Sequence, residues 1–142
     1  MRYLLDTNII SNIVKLSPSP SLLAWMANQR DDDLFIASLT VAEIRRGILE
    51  TPASRRRNEL EDWFLGPEGP QALFAGRILL FDEAAALIWA RHMANGKSRG
   101  KPRSALDTII AAVAEANGCT VITDNAKDFA GFQIVKPSRE GR

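Results

Sequence analysis

The chain has 142 residues, 46% hydrophobic and 25% charged, which excludes a disordered, collagen-like or fibrous polymer and fits one folded domain. Eighteen Lys and Arg against seventeen Asp and Glu leave a formal charge of +1, so only the distribution of charge can speak for or against a nucleic-acid partner. The single Cys119 forms no internal disulfide, the single His92 excludes a His-rich metal cage, and no apolar run approaches the ~20 residues that a membrane span needs.

Tyr3-Leu4-Leu5 reads as a short buried strand that delivers Asp6 at its carboxyl end. An acid this early argues against a secretory signal, and a reducing, cytoplasmic setting is expected. Ile9, Ile10, Ile13 and Val14 then recur at helical spacing until Ser17-Pro18-Ser19-Pro20 breaks the pattern. A short helix is expected over about Leu22–Gln29, with Trp25 inward, and a second strand over Leu34–Ala37. Thr40-Val41-Ala42-Glu43 has the form of a capping box, opening a helix with Val41, Ile44 and Ile48 on its apolar stripe. A charged helix follows over about Ala53–Phe64, then a loop from Gly66 to Pro70.

Ile78–Phe81 reads as a third strand, and the next helix runs to about Asn95-Gly96. Gly96–Arg103 reads as a basic loop. Ser104 caps a helix with Leu106, Ile109, Ile110 and Val113 on its buried face, and Gly118 stops it. Thr120–Thr123 is a fourth strand, ending on Asp124. A turn or short helix leads through Phe129 to a last strand over Phe132–Val135. Strands alternate with helices, and the strand runs are apolar throughout. The expected fold class is therefore an α/β sandwich with a mostly parallel sheet.

Asp6 and Asp124 each follow a strand, so a parallel sheet puts both at one edge. Glu43 and Asp107 each fall in the first turn of an expected helix, near the same edge. Four carboxylates are thus expected to converge on one crevice, with Asp128 as a fifth candidate. Clustered carboxylates repel unless a cation sits among them, and an all-oxygen set suits Mg²⁺ or Mn²⁺. Each acid alone also has an ordinary reading. Asp6 caps a helix, Glu43 and Asp107 complete capping boxes with Thr40 and Ser104, and Asp124-Asn125 makes an Asx-type turn. The combination favours a site. Thr7, Asn8, Thr123 and Asn125 put small polar groups beside two of the acids, where they either orient carboxylates or serve ordinary turns.

Lys97, Arg99, Lys101 and Arg103 precede Asp107 with no acid between, and are candidates for contact with the phosphates of a polyanionic substrate. Arg55-Arg56-Arg57 reads as a solvated face. Cys119 reads as a small buried hydrophobe.

Leu4-Leu5-Asp6-Thr7-Asn8, Thr40 through Ile48, Leu106 through Ala112 and Thr123 through Phe129, in that order, resemble the PIN-domain ribonucleases. Among these, they are similar to the VapC/FitB-type toxins of bacterial toxin–antitoxin modules. The resemblance spans nearly the whole chain. It implies a PIN-like α/β/α sandwich over residues 1–136, with a polar tail at 137–142. It implies that Asp6 and Asp107 are the leading Mg²⁺ ligands, which Mn²⁺ can replace. Asp124 would complete or water-bridge the metal site, and Glu43 would do likewise or orient the attacking water. Thr7 matches the family's hydroxyl position and Asn125 its polar position beside the last acid; Asp128 is a less certain fifth acid. The implied reaction is hydrolysis of RNA to a 5′-phosphate and a 3′-hydroxyl. The implied assembly is a homodimer silenced by a cognate VapB/FitA-like antitoxin, with no membrane involved. Two other readings compete: a non-catalytic PIN-fold module that binds RNA or a partner, and a receiver-like phosphoacceptor domain. The intact acid set argues against the first. The second would want paired acids early and a lysine at a late strand end, and neither is present.

Overall fold

In the computed structural model, residues 1–14 and 18–137 are described. Five short parallel strands form one sheet: β1 (Tyr3–Leu5), β2 (Leu34–Ala37), β3 (Ile78–Leu79), β4 (Thr120–Ile122) and β5 (Ile134–Val135), in spatial order β3-β2-β1-β4-β5. Successive side chains of a strand point to opposite faces. Leu5 and Ile122 enter one core with Ile9, Ile10, Leu22, Ile44 and Phe64. Leu4 and Val121 enter the other with Ile110, Val113 and Phe129. Both faces are covered, which is why the strand runs are apolar without alternation.

On the first face lie α1 (Thr7–Ile13), α2 (Pro20–Ala27), α3 (Ser38–Glu50), α4 (Arg55–Leu65) and the single turn α5 (Pro70–Leu73). The long α6 (Glu83–Ser98) and α7 (Ala105–Ala116) pack on each other and against the second face. The chain therefore forms the three-layer α/β sandwich expected of its sequence.

Several elements depart from expectation. Helix α3 starts two residues before Thr40, with Ala37 as its cap and no side-chain cap hydrogen bond. Strand β2 runs straight into the helix, so no loop residue is free to cap it. Thr40 and Glu43 thus form no capping box. The third strand stops at Leu79, because β3 is an edge strand and Leu80 and Phe81 turn outward. The last strand shortens to Ile134–Val135, since Phe132 packs instead on His92, with ring centroids 4.5 Å apart. Pro70–Leu73 coils into a turn of helix where a loop is expected. Leu106 faces solvent rather than the core. Gly96 lies inside α6, so the basic loop begins only at Arg99. Of the expected tail, Pro137 is buried and residues 138–142 fall outside the described residues, as does Ser17 of the expected break.

Strand order reverses between β1 and β4: the chain winds outward from β1 through β2 to β3, then returns to the other side of β1. Ligand crevices of open α/β sheets form at such a reversal, beyond the carboxyl ends of the strands. Asp6 and Thr123 emerge there side by side. The register pairs Leu5 with Ile122, and Asp6 N–H donates to Ile122 O at 2.9 Å.

Candidate active site

Asp6 is the N-cap residue of α1, and its Oδ1 accepts from Thr7 N–H at 2.8 Å. The capping reading is therefore correct but incomplete. A surface cap faces water, whereas Asp6 is 2% exposed, and its Oδ2 accepts from the Thr123 hydroxyl at 2.8 Å. Thr123 is itself oriented by Asn125 N–H, 3.0 Å from its Oγ1. Burial raises the Asp6 carboxyl from its usual range to about 6. The hydrogen bonds from Thr123 and Thr7 oppose the rise, and the charges of Asp107 and Glu43 add to it.

Asp107 and Glu43 thus lie near enough for their charges to act on the Asp6 carboxyl. Asp107 sits in the first turn of α7, where Ser104 Oγ accepts from Asp107 N–H at 3.3 Å. Ser104 caps the helix as expected. Burial also raises the Asp107 carboxyl, the Asp128 charge adds to this, and the Ser104 hydrogen bond opposes it. Glu43, on α3, accepts the Thr7 hydroxyl at 2.7 Å. Its partner lies on another element, so the helix-capping reading of Glu43 falls.

Asp124 follows β4, and its Oδ1 is buried with no hydrogen-bond partner among the described residues. A buried carboxylate oxygen left unpartnered is costly, and it calls for a missing ligand or water. Asn125 contributes its backbone N–H to the site. Asn8 is exposed and makes no hydrogen bond to the acids among the described residues. Asp128 helps to line a basic cleft, and its charge reaches Asp107.

The oxygen-only donor set, the raised Asp6 and Asp107 carboxyls and the orphaned Asp124 oxygen suit a hard divalent cation. Among the described residues, no three His, Cys, Asp or Glu side chains are placed to hold a metal ion together.

The basic cleft, of about 550 Å³, is lined by Arg99, Lys101, Arg103, Lys127 and Asp128, with Ser104 at the head of α7. Lys97 does not line it but an adjoining apolar hollow with Met93, which shares Pro102 and Arg103 with the cleft. Arg103 also stacks on Phe132, 5.2 Å from the ring centre. Six arginines elsewhere are matched: Arg45, Arg46, Arg55, Arg56, Arg57 and Arg91 each meet a glutamate at 2.8 to 3.9 Å, while Arg2 and Arg77 bond backbone carbonyls. Arg99, Lys101, Arg103 and Lys127 meet no carboxylate within 4.0 Å among the described residues. Lys127 joins this cleft from 24 positions after Arg103, with no local signal in the sequence to foretell it; only the turn after β4 brings it back. Thr40 is not the cap its spacing suggests, for its hydroxyl lies against that of Thr7.

The PIN domain family profile matches residues 3–133. The chain is 38% identical over 135 residues to the VapC ribonuclease Y4jK of Sinorhizobium fredii, covering 94% of this chain and 95% of that protein. It is 36% identical over 131 residues to the toxin FitB of Neisseria gonorrhoeae, covering 92% and 93%. A crystal structure of FitAcB from Neisseria gonorrhoeae superposes with a TM-score of 0.89 at 34% identity, covering 96% of this chain and 99% of that one.

Proposed function

Because this chain belongs to the PIN domain family, in its VapC and FitB group, we propose that it is a divalent-metal-dependent ribonuclease, the toxin of a toxin–antitoxin pair. The observation that carries this reading is the buried Asp6 at the reversal of strand order, facing the charges of Asp107 and Glu43. The name of the Sinorhizobium relative supports the reaction, and that of the Neisseria relative supports the toxin role.

Asp6, Asp107 and Asp124, with Glu43 beside them, are the residues that would hold Mg²⁺ or Mn²⁺. Such an ion, when bound, stabilises negative charge developing on a phosphodiester. The chain's own groups do the rest. Thr7 N–H and the Thr123 hydroxyl lock the Asp6 carboxylate. Glu43 is held by one oxygen, Oε1, leaving Oε2 to accept a proton from the attacking water. Arg99, Lys101, Arg103 and Lys127 take the phosphates that flank the cleaved bond.

A FitA-like antitoxin is the proposed partner, since the Neisseria neighbour was crystallised as FitAcB. Its co-expression should suppress cleavage. A homodimer is the proposed assembly, and Leu80 and Leu87, 65% and 68% exposed, are apolar side chains for a second copy to cover. Sedimentation at 15.7 kDa alone would refute the dimer. No described helix is long and apolar enough to cross a membrane; a cytoplasmic site of action accords with an RNA substrate.

The deciding experiment is cleavage of whole-cell RNA by antitoxin-free protein with Mg²⁺ or Mn²⁺, and with EDTA as control. Asp6→Asn and Glu43→Gln should fold normally and cut at least ~100-fold more slowly, about 2.7 kcal/mol in the barrier. Wild type that binds RNA but cuts none with either metal would instead be a PIN-fold binding module.

A further inference from the structure

A threonine within a helix ordinarily turns its hydroxyl to the carbonyl four residues back. Thr108 does so to Ser104 at 2.6 Å, and Thr51, at the end of α3, to Gly47 at 2.8 Å. Thr40 does not. It is the third residue of α3 and 0% exposed, and its Oγ1 lies 3.1 Å from Thr7 Oγ1, across 33 positions of chain. Thr7 Oγ1 also lies 2.7 Å from Glu43 Oε1.

A hydroxyl carries one proton, and an ionised carboxylate carries none. The Thr7 proton therefore goes to Glu43, by the shorter and charge-assisted bond. Toward Thr40, Thr7 is left as an acceptor, so Thr40 is the donor. The direction of the chain is Thr40 to Thr7 to Glu43. Without the Thr40 donor, the Thr7 hydroxyl is free to rotate away from Glu43. With it, the rotor has one satisfied position, and each bond polarises the next. A second chain of the same form runs from Asn125 N–H through the Thr123 hydroxyl to Asp6 Oδ2.

We propose that Thr40 is a positioning residue, which acts through the Thr7 hydroxyl to hold the Glu43 carboxylate in its working orientation. The consequence for cleavage rests on the ribonuclease reading above; the relay itself does not.

Thr40→Val keeps the shape and removes the donor, and Thr40→Ser keeps the donor. Steady-state cleavage of an RNA oligonucleotide with Mn²⁺ should show kcat lowered about tenfold in Thr40→Val, the effect of one buried hydrogen bond, with KM unchanged. Thr40→Ser should recover to near wild type. In a Glu43→Ala background, Thr40→Val should add nothing further. The proposal is overturned if Thr40→Val cuts like wild type, if serine fails to rescue, or if the loss persists undiminished in Glu43→Ala. A readout independent of cleavage is the Glu43 side-chain carboxyl resonance in metal-free protein labelled with carbon-13 in glutamate. It should move in Thr40→Val and stay in Thr40→Ser. Should wild type cut no RNA, the ribonuclease reading fails while this resonance still decides the relay; an unmoved signal in Thr40→Val overturns it.

Discussion

Asp6 is the residue where structural and functional demands oppose each other. It caps α1, closes the register between β1 and β4, and does so with a carboxyl that burial raises to about 6. In the unfolded chain the same group titrates near 3.8. The folded state thus binds the proton more tightly. The Asp6 contribution to stability is intact below about pH 4, declines as pH rises, and is lost above about pH 6. Two units correspond to about 3 kcal/mol. Metal-free Asp6→Asn should therefore gain stability relative to wild type between pH 4 and 7, as followed by urea unfolding. Parallel curves for the two proteins would place the raised proton affinity elsewhere. Asp6 was legible as a strand-end acid from the residues before it. Its ties to Thr123 and Glu43 were not, because those partners are 117 and 37 positions away.

Helix α6 illustrates how one residue couples an element to the substrate cleft. A Cβ at Gly96 would stand 2.8 Å from Lys101 O and 3.1 Å from Arg103 Cγ. The glycine ends the helix by composition but not in fact, because the basic loop folds back against it and Lys101 N–H bonds Gly96 O at 2.8 Å. Gly96→Ala should gain about 1 kcal/mol in helix propensity and lose about 1–3 to the collision. A lowered urea midpoint and weaker RNA binding are expected together. A midpoint above wild type would mean that the loop yields freely. Helix α3 teaches the complementary lesson. Thr40-x-x-Glu43 has the form of a cap, yet Ala37 turns the chain with backbone alone, and both polar side chains become available to Thr7. By contrast Ser104 caps α7 as its spacing implies, and Gly118, at φ 65°, stops it.

At the scale of the molecule, near-neutral charge hides a separation. Glutamates answer the arginines of α3, α4 and α6, while Arg99, Lys101, Arg103 and Lys127 of the cleft meet no carboxylate within 4.0 Å among the described residues. If RNA phosphates fill that cleft, replacing Arg99, Lys101 and Lys127 by alanine should weaken binding to all RNA sequences alike. It should also reduce the salt slope by about 0.7 per lost contact to a single strand. An unchanged slope would return these residues to a solvated surface.

Local chemistry was enough to specify the layers. Apolar runs with no alternation demand a sheet covered on both faces, and acids that end such runs must emerge at its carboxyl edge. The order of motifs was likewise readable along the chain, as were Ser104 and Gly118, whose roles involve only near neighbours. The tertiary structure decided which groups meet. Strand order places β1 beside β4, and so Asp6 beside Thr123. The packing of α1 on α3 joins Thr7 to Thr40 and Glu43, and the turn after β4 adds Lys127 to the cleft, which Lys97 does not line. These pairings join groups from 24 to 117 positions apart. A sequence pattern records what each residue can do within a turn or two, whereas the partner it finds across the sheet depends on how every intervening element packs.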